Sequence, residues 1–298
     1  MSTESTGDDL AADRRQALLD RLSALGECEH DAKWLDYSAA GIRPSDIRSL
    51  IEIALMYTPG GDFGDERLIW APVHAMRALG QLHAAEAIGP LTALFRWVDD
   101  DNDDWLIEDL SEVYAMFGPP AIPTLSAYLH DARNPLYARS TAADGLQLIG
   151  TDNPSRRDEV VAILSDQLAK FADNDPELNG FLIGRLMALK AIEATSVIEQ
   201  AFAADSVETF ITGDWEDVQV EMGLKAARET PRPFYAPRGT DDVSSAFGIL
   251  PGLEEEPVST PEVVQTDPNS RQARRKAERE AAKKKKSDGA DRSDGSDK

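Results

Sequence analysis

The densest run of chemically capable side chains is Asp99-Asp100-Asp101-Asn102-Asp103-Asp104-Trp105, with Glu108-Asp109 about one helical turn further on. Carboxylates packed this closely supply the hard oxygen ligands that Ca²⁺ and Mg²⁺ favour. The spacing nevertheless lacks the central glycine and terminal glutamate of an EF-hand loop. Acids at the head of a helix that begins near Leu106 also have an ordinary purpose, because they complement the helix dipole. The metal reading is therefore not adopted, and no cofactor is assigned. An aromatic ring beside carboxylates offers something else. Tryptophan supplies area to bury, while the acids steer and pair with a partner's arginine or lysine. The same grouping returns at Trp215-Glu216-Asp217, so Asp103, Asp104, Trp105, Glu108, Asp109, Trp215, Glu216 and Asp217 are the candidate partner-binding residues. The alternative is that both tryptophans cover apolar helix ends.

Other chemistries find less support. The histidines are His30, His74, His83 and His130, and none belongs to a His-Glu-x-x-His pattern. His83 and His130 fall near expected helix ends, where a protonated imidazole is a favourable dipole partner. Cys28 is the only cysteine, which excludes an internal disulfide and any zinc site built on several thiolates. It reads as a buried thiol, and a reducing, cytoplasmic setting fits it. No Gly-x-Ser-x-Gly elbow marks a hydrolase serine. Gly60-Gly61 lacks the Gly-Lys-Ser/Thr ending of a phosphate-binding loop and reads as a helix-breaking turn. The catalytic set is empty.

Charge is divided unevenly along the chain. Of 54 acidic and 31 basic residues, the last 28 positions hold 6 and 11. The acidic remainder repels nucleic acid and favours basic partners, although surface acidity also serves solubility alone. In the tail, Arg274, Arg275, Lys276, Lys283, Lys284, Lys285 and Lys286 are candidate polyanion-binding residues. They lack a nearby aromatic stacking platform, and the same tail could dock on the acidic body.

Positioning these groups falls to helices. Ala78-Leu79-Gly80-Gln81-Leu82-His83-Ala84-Ala85-Glu86-Ala87-Ile88 returns in altered form as Arg185-Leu186-Met187-Ala188-Leu189-Lys190-Ala191-Ile192-Glu193-Ala194-Thr195. Anchors at Leu79, Val113, Leu146 and Leu186 stand 34, 33 and 40 residues apart. A helix pair of that length cannot bury its apolar face alone, so neighbours must stack into one core. The expected fold is all-α: an α–α superhelix of antiparallel helix pairs, HEAT-like or armadillo-type. Residues 1–9 read as a disordered lead-in, 10–229 as the solenoid, 230–270 as a proline-rich acidic linker and 271–298 as a basic, disordered tail. The first helix is expected over Ala11–Leu25, and a second helix of the first clear pair over Ala87–Val98. Asp214 is expected to cap a terminal helix. Every apolar run is too short or too interrupted to span a bilayer.

The wording resembles that of HEAT-like repeat proteins of the phycobilisome-lyase type. It is carried by His74-Ala75-Met76-Arg77-Ala78-Leu79-Gly80, by Ala87-Ile88-Gly89-Pro90-Leu91 and by Ala121-Ile122-Pro123-Thr124-Leu125. Gly213-Asp214-Trp215-Glu216-Asp217-Val218 is similar to a phrase in bacterial uncharacterised helical-repeat proteins of the DUF1186 kind. The resemblance implies a solenoid over about residues 47–224. It transfers no catalytic residue, and the cysteine-rich metal motif that ends some DUF1186-like chains is missing. The expected function is a non-enzymatic scaffold or adaptor that binds a protein through its solenoid face and acidic loops. The alternatives are a bilin-lyase-like enzyme or accessory factor, and an RNA- or ribosome-associated factor using the tail.

Overall fold

Prolines at helix starts and left-handed residues at helix ends partition the chain. The computed structural model describes residues 5–28, 33–58, 67–100 and 104–233. Among them there are helices and turns and no strand. The α-helices are α1 (Ser5–Ser23), α2 (Ile47–Ala54), α3 (Arg67–Gln81), α4 (Ile88–Leu91), α5 (Arg96–Asp100), α6 (Asp104–Phe117), α7 (Ile122–His130), α8 (Leu136–Asp152), α9 (Arg157–Leu168), α10 (Pro176–Ala188), α11 (Thr195–Ala203), α12 (Thr209–Thr212) and α13 (Trp215–Glu221). The described residues all lie in one unit that ends at Val243.

A recurring local device opens five of the helices. Short 3₁₀ turns at Pro44–Asp46, Ala85–Ala87, Pro119–Ala121, Pro154–Arg156 and Ile192–Ala194 run directly into α2, α4, α7, α9 and α11. Proline suits this place because its fixed φ and missing amide cost nothing at a helix start. The ends match as well. His83 and Lys190 adopt φ of 50° and 51° after α3 and α10. The next amides, of Ala84 and Ala191, return to the carbonyls of Leu79 and Leu186 at 3.1 and 3.0 Å. These are the six-to-one bonds of a Schellman stop, formed at the two positions the sequence alignment makes equivalent.

Packing follows the chain. The long helices α1, α3, α6, α8 and α10 contact one another in succession. Leu79, Val113, Leu146 and Leu186 have no solvent-accessible surface. Helix α3 is buried on all sides from Ala71 to Gly80, as a helix surrounded by α1, α2 and α6 must be. Gly80 permits that approach, since a Cβ there would stand 3.0 Å from Met116 Sδ on α6. Gly145 does the same for α8, where a Cβ would meet Leu125 Cδ1 at 3.1 Å.

Three expectations need adjustment. Helix α1 begins at Ser5, inside the stretch read as a disordered lead-in. The only breaker there, Gly7, costs a helix about 1 kcal/mol and does not end it. The single helix expected over Ala87–Val98 is broken into α4, a 3₁₀ turn (Thr92–Leu94) and α5. The Gly89 carbonyl takes both the amide and the hydroxyl of Thr92, which tightens the spiral at that point. Thr230 and Arg232, which fall in the expected linker, bond to Glu216 and Asp217 of α13. The remainder of the linker and the basic tail, including Arg274, Arg275, Lys276, Lys283, Lys284, Lys285 and Lys286, lie outside the described residues.

Candidate functional site

Polar side chains are buried at several places, Gln167 and Asn179 among them, and two clusters hold the candidate acids Asp109, Glu216 and Asp217. The first is built on one face of α3, where His74, Arg77 and Gln81 follow one another at helical spacing. Arg77 reaches α6, and its Nε and Nη2 each donate to one oxygen of Asp109 at 2.9 Å. The side chains of this pair are 4% and 5% exposed. The ring of Trp34 stacks on the guanidinium, 4.7 Å from its centroid. Burial opposes the charge on Arg77, but its hydrogen bonds to Asp109 and the carboxylate's charge outweigh that and raise its pKa.

His74 ties the same helix to the segment after α1. The Tyr37 hydroxyl is 2.7 Å from Nδ1, and the Gly26 carbonyl is 3.0 Å from Nε2. A carbonyl only accepts, which assigns the imidazole proton to Nε2 and makes the Tyr37 hydroxyl the donor to Nδ1. Burial lowers the His74 pKa, so the ring stays neutral in this setting. Cys28 Sγ lies 3.4 Å from Nδ1 and 3.5 Å from Nε2. Such nearly equal distances put the sulfur midway between the two nitrogens, out of line with both the Nδ1 lone pair and the Nε2–H bond. Burial pushes the Cys28 thiol up to about 12, and only the thiolate is nucleophilic. The Cys28–His74 contact is therefore a packing contact. Gln81 completes the face by accepting from the Tyr37 amide at 3.0 Å and donating to the Leu35 carbonyl at 2.7 Å. Beside it opens a cleft of about 420 Å³ that Asp36, Ser38, Gln81, His83 and Met116 help to line.

The second cluster closes the C-terminal end of the helices. Asp214 caps α13 through the Asp217 amide at 2.9 Å, and Asp217 accepts in return from the Asp214 amide. Gly213 makes this possible with φ of 76°, since a Cβ there would stand 2.7 Å from Asp217 Cβ. The chain then doubles back, and its basic residues settle on the acids. Arg228 donates to Asp214 Oδ1 and Oδ2 at 2.7 and 2.9 Å and pairs with Asp217 at 2.7 Å. Arg232 reaches Asp217 at 3.0 Å. Glu216 accepts from Lys225 Nζ at 3.0 Å, from the Glu229 and Thr230 amides at 2.9 and 3.1 Å, and from the Thr230 hydroxyl. These donors, the Thr230 hydroxyl foremost, hold the Glu216 carboxyl down to about 2.

The candidate residues consequently separate. Asp103 lies outside the described residues, and only the backbone of Asp104 and Trp105, at the start of α6, is described. Glu108 is exposed, whereas its neighbour Asp109 is buried against Arg77. Trp215 is half-buried and packs its ring on Phe202 at 5.8 Å between centroids. Glu216 and Asp217 are occupied by the returning chain. Three of the candidate acids, Asp109, Glu216 and Asp217, are thus each held by an intramolecular cation or amide. Among the described residues, no group of three or more His, Cys, Asp or Glu side chains is arranged to hold a metal ion.

Comparison with protein-family models, curated proteins and solved structures finds no match to this chain. The geometry must speak for itself. What it adds is a feature that the search for acids and tryptophans passed over. Tyr137 in the first turn of α8 and Phe210 in α12 are 42% and 45% exposed. Between them in sequence, Phe181 of α10 meets the Tyr137 ring edge-on at 6.1 Å, and the Tyr137 hydroxyl donates to Glu177 at 3.0 Å. Helix α10 contacts both α8 and α12. The signal available in the sequence was an aromatic in the first turn of α8 and of α12, with Phe181 midway along α10. Among the described residues, no helix is long and apolar enough to cross a membrane.

Proposed function

We propose that this chain is a non-enzymatic interaction scaffold, a HEAT-like α–α superhelix that receives a basic protein partner along one edge. The observation that carries the reading is the pair of exposed aromatics Tyr137 on α8 and Phe210 on α12, with the half-buried Phe181 of α10, a helix that contacts both, packed against Tyr137. Exposed aromatics of this size anchor interfaces, since each buries a large area at small entropic cost. Glu177, which accepts from the Tyr137 hydroxyl, and the exposed Asp173 and Asp175 just before it in the chain favour lysine and arginine on the partner. Five repetitions of the 3₁₀-turn-and-helix device support the repeat architecture.

The decisive experiment captures partners from the source cell on the full chain, then measures direct binding of each to the wild type and to Tyr137→Ala/Phe210→Ala. Loss of one partner's binding by about tenfold or more, with an unchanged helical signal, supports the edge. Equal binding of every captured partner to both chains removes it.

A further inference from the structure

Thr230 stands at the point where the returning segment leaves the acid cluster. Its amide donates to Glu216 Oε2 at 3.1 Å and its hydroxyl donates to the same oxygen. Arg228 Nη2 is 3.4 Å from Thr230 Oγ1 while it holds Asp214. Pro231 and Pro233 follow, and neither carries an amide hydrogen, so those two positions add no amide donor to the cluster. Thr230, Pro231, Arg232 and Pro233 are exposed and lie outside any helix. Thr141 and Thr151, by contrast, belong to α8. An exposed, irregular segment, with Pro231 and Pro233 following the threonine, leaves Thr230 within reach of a modifying enzyme.

We infer that Thr230 is a phosphorylation site, and that a phosphate there unlatches the segment 225–232 from Asp214, Glu216 and Asp217. In that step the Thr230 hydroxyl oxygen attacks the terminal phosphorus of a nucleoside triphosphate held by a protein kinase. A phosphate ester forms, the bond to the bridging oxygen breaks, and nucleoside diphosphate leaves. The hydroxyl proton passes to the kinase's base. Hydrolysis with one water by a phosphatase restores the threonine and releases inorganic phosphate.

Three consequences act in one direction. The hydroxyl donor to Glu216 is lost. A charge of roughly −1.5 to −2 at neutral pH is set against the Glu216 carboxylate, which is destabilising for both. Arg228, already close to Oγ1, is drawn toward the phosphate and away from Asp214 and Asp217, because phosphate is the stronger partner of a guanidinium. The latch is thus held by the same few groups that the modification redirects, and nothing in the apolar interior need move.

The test uses the full chain with phosphothreonine installed at position 230, beside the unmodified chain and Thr230→Val. Proteinase K clipping between Lys225 and Pro233, located by mass spectrometry, should be about tenfold faster in the phosphorylated chain. Thr230→Val loses the hydroxyl but gains no charge, and should clip within about twofold of the wild type. Unchanged clipping of the phosphorylated chain, or equal acceleration in Thr230→Val, overturns the mechanism. Phosphopeptide mapping of the chain from its own cells, growing and starved, should find phosphate on Thr230. Recovery of that peptide only in unmodified form from both overturns the assignment.

Discussion

Arg77 and Arg228 each grip an aspartate with two parallel hydrogen bonds, but they do so in different surroundings. Arg77 joins α3 to α6 across 32 residues of sequence, with both side chains at or below 5% exposed. Arg228 joins a turn to a segment 14 residues later, with its own side chain 14% and Asp214 26% exposed. Identical chemistry therefore has two outcomes. Removing one partner of the buried pair leaves the other's charge shut away from water, whereas at the C-terminal cluster solvent stands ready to replace the lost group. The first pair is a condition of the fold. The second is a latch on its surface.

That contrast is broken or sharpened by experiment. The largest effect is expected at the buried pair: Arg77→Ala should destabilise the chain by about 3–5 kcal/mol in chemical denaturation. A loss no greater than that of an exposed arginine such as Arg48 would show that the fold tolerates Asp109 without Arg77. Leu186→Ala, one of the four anchors, should cost about 2–5 kcal/mol through the cavity it leaves. An unaltered transition there would defeat the equivalence of Leu79 and Leu186.

A smaller, pH-dependent effect belongs to His74. Its pKa in the folded chain lies below the ordinary value of about 6.5, because burial among Cys28, Tyr37 and the cationic Arg77 disfavours the imidazolium. Below about pH 6.5 the unfolded chain therefore binds the extra proton first, so stability falls as pH drops through that window and is level above it. His74→Gln should flatten this part of the curve in thermal melts from pH 5 to 7.5, whatever it does to the midpoint at neutral pH. A slope identical to the wild type would assign the acid sensitivity elsewhere. The smallest effect on global stability is expected from Arg228→Ala, which should leave the main unfolding transition in place while freeing residues 225–232.

The helices were legible because their signals are local. Pro44, Pro119 and Pro154 mark starts, Gly118 marks a stop, and Asp214 caps the helix it was expected to cap. Leu79, Val113, Leu146 and Leu186 were legible through periodicity, since a side chain that recurs on one helical face is almost always inward. The polar partners were not legible. Nothing near Asp109 in sequence distinguishes it from Glu108, yet a rotation of about 100° per residue sends one inward and the other to solvent. Glu216 and Asp217 look like an open acidic surface until Arg228 and Thr230 fold back on them. Charges read from sequence carry no record of their partner when that partner is supplied by topology. The exposed ring of Phe210 was hidden for the opposite reason, since an aromatic in a helix is ordinarily assumed to be core.

Hydrogen exchange measured residue by residue tests the central contrast most directly. The amides of Ala78 and Leu79 in α3 should exchange only through global unfolding, with protection that salt scarcely alters. The amides of Glu229 and Thr230, bonded to Glu216, should exchange through a local opening that costs far less and becomes easier as salt screens the latch. Equal protection of the two sets at low and high salt would contradict the account, because the C-terminal cluster would then be as much a part of the fold as the Arg77–Asp109 pair.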